Sequence, residues 1–187
     1  MRKTLIIPGL DGSPAPHWQH WWAMTDPGAL LVDQANWSAP TPEAWEAEVA
    51  GAILRHPGSV LVGHSLGAIL IARLLTKWPQ LQVAGALLVA PAEPERSKRI
   101  ARFAPIPHGS LGVPTTVVAS RNDPWMSFGR AAELAGHWHA NLVDMGFAGH
   151  INVDSGFGPW PDALSLRDEL LVPRELVGKF QPIERRA

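Results

Sequence analysis

Cysteine and tyrosine are both absent from the 187 residues of this chain. Without cysteine there can be no disulfide, no thiolate nucleophile and no cysteine-ligated metal. Charge is also scarce. Asp, Glu, Lys and Arg make up 18% of the residues, the formal net charge is −1, and no basic block occurs. That balance argues against nucleic acid and against an anionic membrane surface as partners. No run approaches the roughly 18 apolar residues of a spanning helix. The opening stretch MRKTLIIPGL resembles the start of a signal peptide, but its apolar part stops at Pro8-Gly9, too short for a signal core. A cytoplasmic setting is the default expectation.

What the chain does contain is 46% hydrophobic residues, nine tryptophans and 18 prolines. The length and apolar content suit one domain over residues 1–187 with a sizeable core. Short apolar runs alternate with stretches of helical period. TLIIP (4–8), ALLVDQ (29–34), SVLVGH (59–64), VAGALLVA (83–90), PTTVVAS (114–120) and ANLVDM (140–145) read as strands. Between them, 17–24, 42–55, 66–78, 127–137 and 162–171 read as helices, the second with Thr41 as N-cap and Pro42 at the first helical position. Strands apolar on both faces, separated by helices, predict an α/β fold: a mostly parallel sheet of about six strands flanked by helices on both faces. The insert at 91–113, rich in proline and charge, is either a solvated crossover or a small rim or cap over a site. The tail at 180–187 is expected to fray.

GHSLG (63–67) fits the G-x-S-x-G pattern of a nucleophile elbow. The chemistry requires a tight turn that projects the serine Oγ above the sheet, and glycines that let strand and helix backbones approach. The helix that follows aims its free N–H groups at a developing oxyanion. The pattern is short and weak by itself, but here an apolar strand ends just before it and an apolar helix begins just after. A serine nucleophile needs a base, and the base needs an orienting carboxylate. Asp123 follows one later strand and His150 follows the last, in the chain order Ser…Asp…His. The other candidates fit less well. Asp144 lies inside a strand pattern, Asp154 follows the histidine, and Asp33 precedes the serine. His64 reads as a packed strand-end residue. His17 and His20 sit on an amphipathic helix with neither metal-pair spacing nor an acidic third ligand.

The second oxyanion donor belongs on the loop after the first strand, which nominates the N–H of Leu10 beside that of Leu66. Asp11 must turn its carboxylate away from a developing oxyanion, and capping of the loop's own N–H groups is the expected use for it. Trp37, Trp125, Phe157 and Trp160 are candidates for lining a substrate pocket, although indole burial makes core packing an equal use for each.

With these residues in place the chain resembles the YdeN-like family of small serine hydrolases, which includes the retinoblastoma-binding-protein-nine-like proteins. The motifs that carry the resemblance are PGLDGSPAPHWQHWW (8–22), GHSLG (63–67), ASRNDPWMSF (119–128) and AGHINVDSGFGPWP (148–161). The resemblance implies a compact α/β-hydrolase fold with little or no cap, and a Ser65–Asp123–His150 triad. It also implies that His17-Trp18 packs the first loop under the oxyanion hole. The retinoblastoma partner of that family rests on an L-x-C-x-E segment, which a chain without cysteine lacks. The expectation is a serine hydrolase of carboxylesterase type, cleaving a small ester, thioester or amide without metal or organic cofactor. A non-catalytic binding module, or a cofactor-free haloperoxidase or lyase on the same triad, stays open at this stage.

Overall fold

The computed structural model describes residues 2–172, so the tail at 180–187 lies outside the described residues. Six strands form one sheet: β1 (Thr4–Ile7), β2 (Ala29–Leu31), β3 (Ser59–His64), β4 (Val83–Val89), β5 (Thr115–Ala119) and β6 (Asn141–Asp144). Their order is β2-β1-β3-β4-β5-β6, and every pairing is parallel. The helices are α1 (Trp18–Thr25), α2 (Pro42–Arg55), α3 (Leu66–Lys77), α4 (Phe128–His137) and α5 (Asp162–Glu169). This is the α/β architecture that the alternating pattern predicts.

The period of two along each strand divides the core into two layers. Leu5, Ile7 and Leu61 face a layer with Trp45 and Val49 of α2, Ile69 of α3 and Leu134 of α4. Ile6, Val60 and Val62 face a layer with Trp18 and Trp22 of α1 and Ala163 of α5. Strand β2 is shorter than the run at 29–34 suggests. The Asp33 side chain accepts the Gln34 N–H, and the chain leaves the sheet edge. The predicted cap holds, as Thr41 accepts from Ala44 N at the start of α2, and Ser127 caps α4 by accepting from Arg130 N.

The insert at 91–113, called the rim below, packs apolar side chains inward. It makes short 3₁₀ turns at Pro94–Arg96 and Ala101–Phe103, and it buries Ile100, Phe103, Ile106 and Leu111. A solvated crossover would leave those side chains in water, at a cost of roughly 1.5–3 kcal/mol each.

One close approach sets the middle of the sheet. A Cβ on Gly67, in the first turn of α3, would overlap the carbonyl oxygen of Ile7 at the end of β1, and one on Gly63 would lie 2.7 Å from the Gly67 carbonyl. Helix α3 can therefore cross the end of β1 only where side chains are missing. Gly67→Ala is expected to cost about 3 kcal/mol or to prevent folding. Gly136→Ala, at an exposed position of α4 with open space around it, is expected to stabilise by about 0.5 kcal/mol. Thermal and urea unfolding of the two variants checks both signs.

Candidate active site

Ser65 sits between the end of β3 and the start of α3 with φ 57° and ψ −122°. A non-glycine residue there carries backbone strain of about 1–3 kcal/mol. The two neighbouring glycines remove the clashes, and Ser65 N donates to Val89 O at 3.0 Å, which pins the turn to β4. The Oγ points to His150, whose Nε2 lies 2.9 Å away. On the far side of the ring, Nδ1 lies 2.9 Å from both carboxylate oxygens of Asp123. A carboxylate can only accept, so Nδ1 carries the proton, and Nε2 is left to accept from the Ser65 hydroxyl. The Asp123 side chain is 3% exposed, and its Oδ1 also accepts the Trp125 N–H. The three residues that the sequence singles out are thus joined in one hydrogen-bonded chain.

The loop carrying His150 is held by polar residues that sequence reasoning passed over. Gly149 N donates to Asn122 Oδ1, Ala148 N to Ser120 Oγ, and His150 N to Ser155 Oγ. Gly149 has φ 57°, and a Cβ there would strike the Ser155 hydroxyl. The signal for these residues was their place at strand ends beside Asp123 and His150, and nothing in their spacing set them apart. His64 also has a specific contact. Its Nε2 lies 2.9 Å from the carbonyl oxygen of His150, so Nε2 must carry the proton that is donated. Its ring centroid is 5.0 Å from that of His17 and 4.9 Å from that of His150. Burial, then the neighbouring His150 and His17, push the His64 pKa well below its ordinary value.

A cavity of about 280 Å³ opens over Ser65. Gly9, Leu10 and Gly12 of the first loop border it, as do His17, His64, Trp125, His150 and Asn152, and Ala92, Ser97, Arg99 and Ile100 of the rim. Gly9 packs so closely on the elbow that a Cβ would lie 2.9 Å from the Ser65 Cβ. Asp11 N donates to Trp37 O and Gly12 N to Gly9 O. The N–H groups of Leu10, which borders the cavity, and of Leu66, which follows Ser65, take part in neither of these bonds nor in the one made by Ser65 N. Asp11 does turn outward, but it does not cap the loop. Its carboxylate makes a two-pronged ion pair with Arg99 of the rim, at 2.6 and 2.9 Å. The Arg99 guanidinium holds the Asp11 pKa below the usual carboxylate range. Hydrogen bonds from Arg99 also reach Ser38 O.

Of the four aromatic candidates, Trp125 borders the cavity, with its ring centroid 6.1 Å from that of His150. The other three lie elsewhere. Trp37 stacks edge-on against Trp45 behind the Gly12 turn. Phe157 and Trp160 pack on each other, and Trp160 packs on Trp18 within the second core layer. Indole and phenyl burial outweighed pocket lining at these positions. Among the described residues, no cluster of three or more His, Asp and Glu is arranged to hold a metal ion, and no helix is long and apolar enough to cross a membrane.

His17 caps α1 by accepting the Gln19 N–H on its Nδ1 at 3.1 Å. Gln19 in turn is fully buried, donates to Ile7 O and Val62 O, and accepts from Ser13 Oγ of the first loop. Burial first, and the nearby His150 second, lower the His17 pKa to about 4 from an ordinary 6.5. Between those values the unfolded chain binds a proton that the folded chain refuses, so stability falls as pH drops from 6.5 towards 4. The full shift corresponds to about 3 kcal/mol. His17→Asn keeps an acceptor at the cap and removes the titration. Urea unfolding at pH 7 and pH 4.5 should show a smaller acid-induced loss in that variant than in the wild type.

Comparisons with known proteins show the family and the fold. The family model described as serine hydrolase matches residues 4–169. A protein described as a YdeN-like hydrolase from Pectobacterium atrosepticum is 37% identical, with 92% of this chain and 94% of that one covered at a TM-score of 0.82. The ydeN gene product of B. subtilis is 24% identical, with 91% and 98% covered at a TM-score of 0.77. A Bacillus cereus carboxylesterase shares the fold at 17% identity, with 90% and 88% covered and a TM-score of 0.58. No curated protein matches the sequence. The chain belongs to the serine hydrolase family, and it is a YdeN-like member with the α/β-hydrolase fold.

Proposed function

We propose that the protein is a carboxylesterase-type hydrolase of small, uncharged esters, working through an acyl-enzyme on Ser65. The observation that carries this reading is the continuous hydrogen-bonded chain Ser65 Oγ–His150 Nε2 and His150 Nδ1–Asp123, opening into a cavity. His150 takes the Ser65 hydroxyl proton as Oγ bonds to the substrate carbonyl carbon. Asp123 holds the ring tautomer and stabilises the imidazolium. The N–H groups of Leu10 and Leu66 donate to the oxyanion. As the tetrahedral intermediate collapses, the carbon–oxygen bond to the alcohol breaks and His150 hands its proton to the departing oxygen. Water then attacks the acyl-serine, again with His150 as base. A thioester or amide carbonyl would follow the same steps with a different leaving atom.

Cavity size and charge support a small neutral substrate. At about 280 Å³ it lies just below the roughly 300–1,000 Å³ of sites for drug-sized ligands. The charged side chains on its wall, Asp11 and Arg99, neutralise each other. A series of p-nitrophenyl esters should show kcat/KM highest for two- to four-carbon acyl groups and at least about tenfold lower for octanoate, whose chain outgrows the cavity. Ser65→Ala and His150→Ala should each lose about 10⁴-fold or more in kcat, and Ser65→Ala should lose labelling by a fluorophosphonate. A folded wild type that neither labels nor turns over any short ester contradicts the reading.

A further inference from the structure

His17 has one ring nitrogen that neither the fold nor the chemistry above employs. Its Nδ1 receives the Gln19 N–H and so cannot bear a proton. The single proton of the neutral ring therefore sits on Nε2. Protonating both nitrogens would set two donors against each other at the cap, and burial opposes the charge as well. Among the described residues no group accepts from this Nε2–H. The atom is also not one of the buried polar atoms left without a partner, so it has access to space. The residue is 6% exposed and borders the cavity over Ser65.

The ring of His17 neighbours the loop that carries His150. Trp18, the next residue, donates its Nε1–H to Ile151 O at 2.9 Å, and His64 bonds the His150 carbonyl. His17 packs against His64 and lies close enough to His150 to feel its charge. The start of α1 is thus fastened to the loop of His150, the residue that returns its proton to the leaving alcohol. The rim residues Ala92, Ser97, Arg99 and Ile100 come from a different segment of the cavity wall.

We propose that the Nε2–H of His17 is a substrate-binding donor on the leaving-group side, donating to an ether, hydroxyl or carbonyl oxygen carried by the alcohol half of the ester. This rests on the reading of Ser65 as nucleophile and extends it to the alcohol the site selects. A neutral donor fixed by a helix cap needs no reorganisation to meet such an oxygen, whereas an all-carbon alcohol leaves it unpaired.

The test compares 2-methoxyethyl butanoate with butyl butanoate, which are alike in shape and differ by one oxygen in the alcohol. Each kcat/KM is divided by the ester's own rate of hydroxide hydrolysis. The wild type should prefer the ether-bearing ester by about fivefold to tenfold, the worth of one neutral hydrogen bond. His17→Asn keeps the helix cap but is too short to place a donor where Nε2 stood, and it should lose most of that preference. A wild type with no preference, or a His17→Asn protein that retains it, overturns the proposal. Fluorophosphonate labelling of the same samples separates the two levels. Labelled Ser65 without the preference overturns the role of His17 alone, and a wild type in which Ser65 is never labelled overturns the nucleophile as well.

Discussion

The contact between the end of β1 and the first turn of α3 sets the geometry of everything above the sheet. Backbone there meets backbone, because a Cβ at Gly67 would occupy the place of the Ile7 carbonyl and one at Gly9 would press on Ser65. From that contact follow the strained Ser65 backbone, the projection of its Oγ, and the close approach of Gly9 to the Leu66 N–H. The strain of the elbow, about 1–3 kcal/mol, is tolerable because β3 and the first two turns of α3 are buried around it. Rigidity at this point gives the hydroxyl one direction, and His150 lies in that direction.

The second half of the site is fastened differently. The loop with His150 is anchored by Ile151 in the second core layer, and its backbone N–H groups are satisfied by the side chains of Ser120, Asn122 and Ser155. His64 and Trp18 bind the carbonyls of His150 and Ile151. The site therefore joins a packed apolar elbow to a hydrogen-bonded loop, and the small aromatic cluster of His17, Trp18, His64 and Trp160 fills the space between them. The rim is tied on by charge, through the exposed Asp11–Arg99 pair and the half-buried Arg130–Glu93 pair. An exposed pair of this kind contributes little to stability, but it fixes where the rim stands relative to the first loop.

Much of this was legible in the sequence because it depends on patterns with strict periods or spacing. Six apolar runs with helices between them leave few alternatives to a parallel sheet, and Ser65, Asp123 and His150 each follow a strand. The rest depends on three-dimensional neighbours. Asp11 meets Arg99, 88 residues away, and no local signal pairs them. Trp37, Phe157 and Trp160 have the chemistry of pocket residues, yet they lie behind the first loop or in the second core layer. His17 is buried, as packing of an amphipathic segment predicts, and what the pattern does not show is its use as the N-cap of α1.

The central claim is a covalent one, that the acyl group of a substrate resides on Ser65 during turnover. It is tested by mixing the protein with p-nitrophenyl butanoate, quenching in acid within the first turnovers, and mapping the modified peptide by mass spectrometry. The account predicts a butanoyl group on the peptide containing GHSLG, at Ser65, which disappears as the substrate is consumed. A butanoyl group at another residue, or rapid ester turnover with Ser65 unmodified at every quench time, would contradict it.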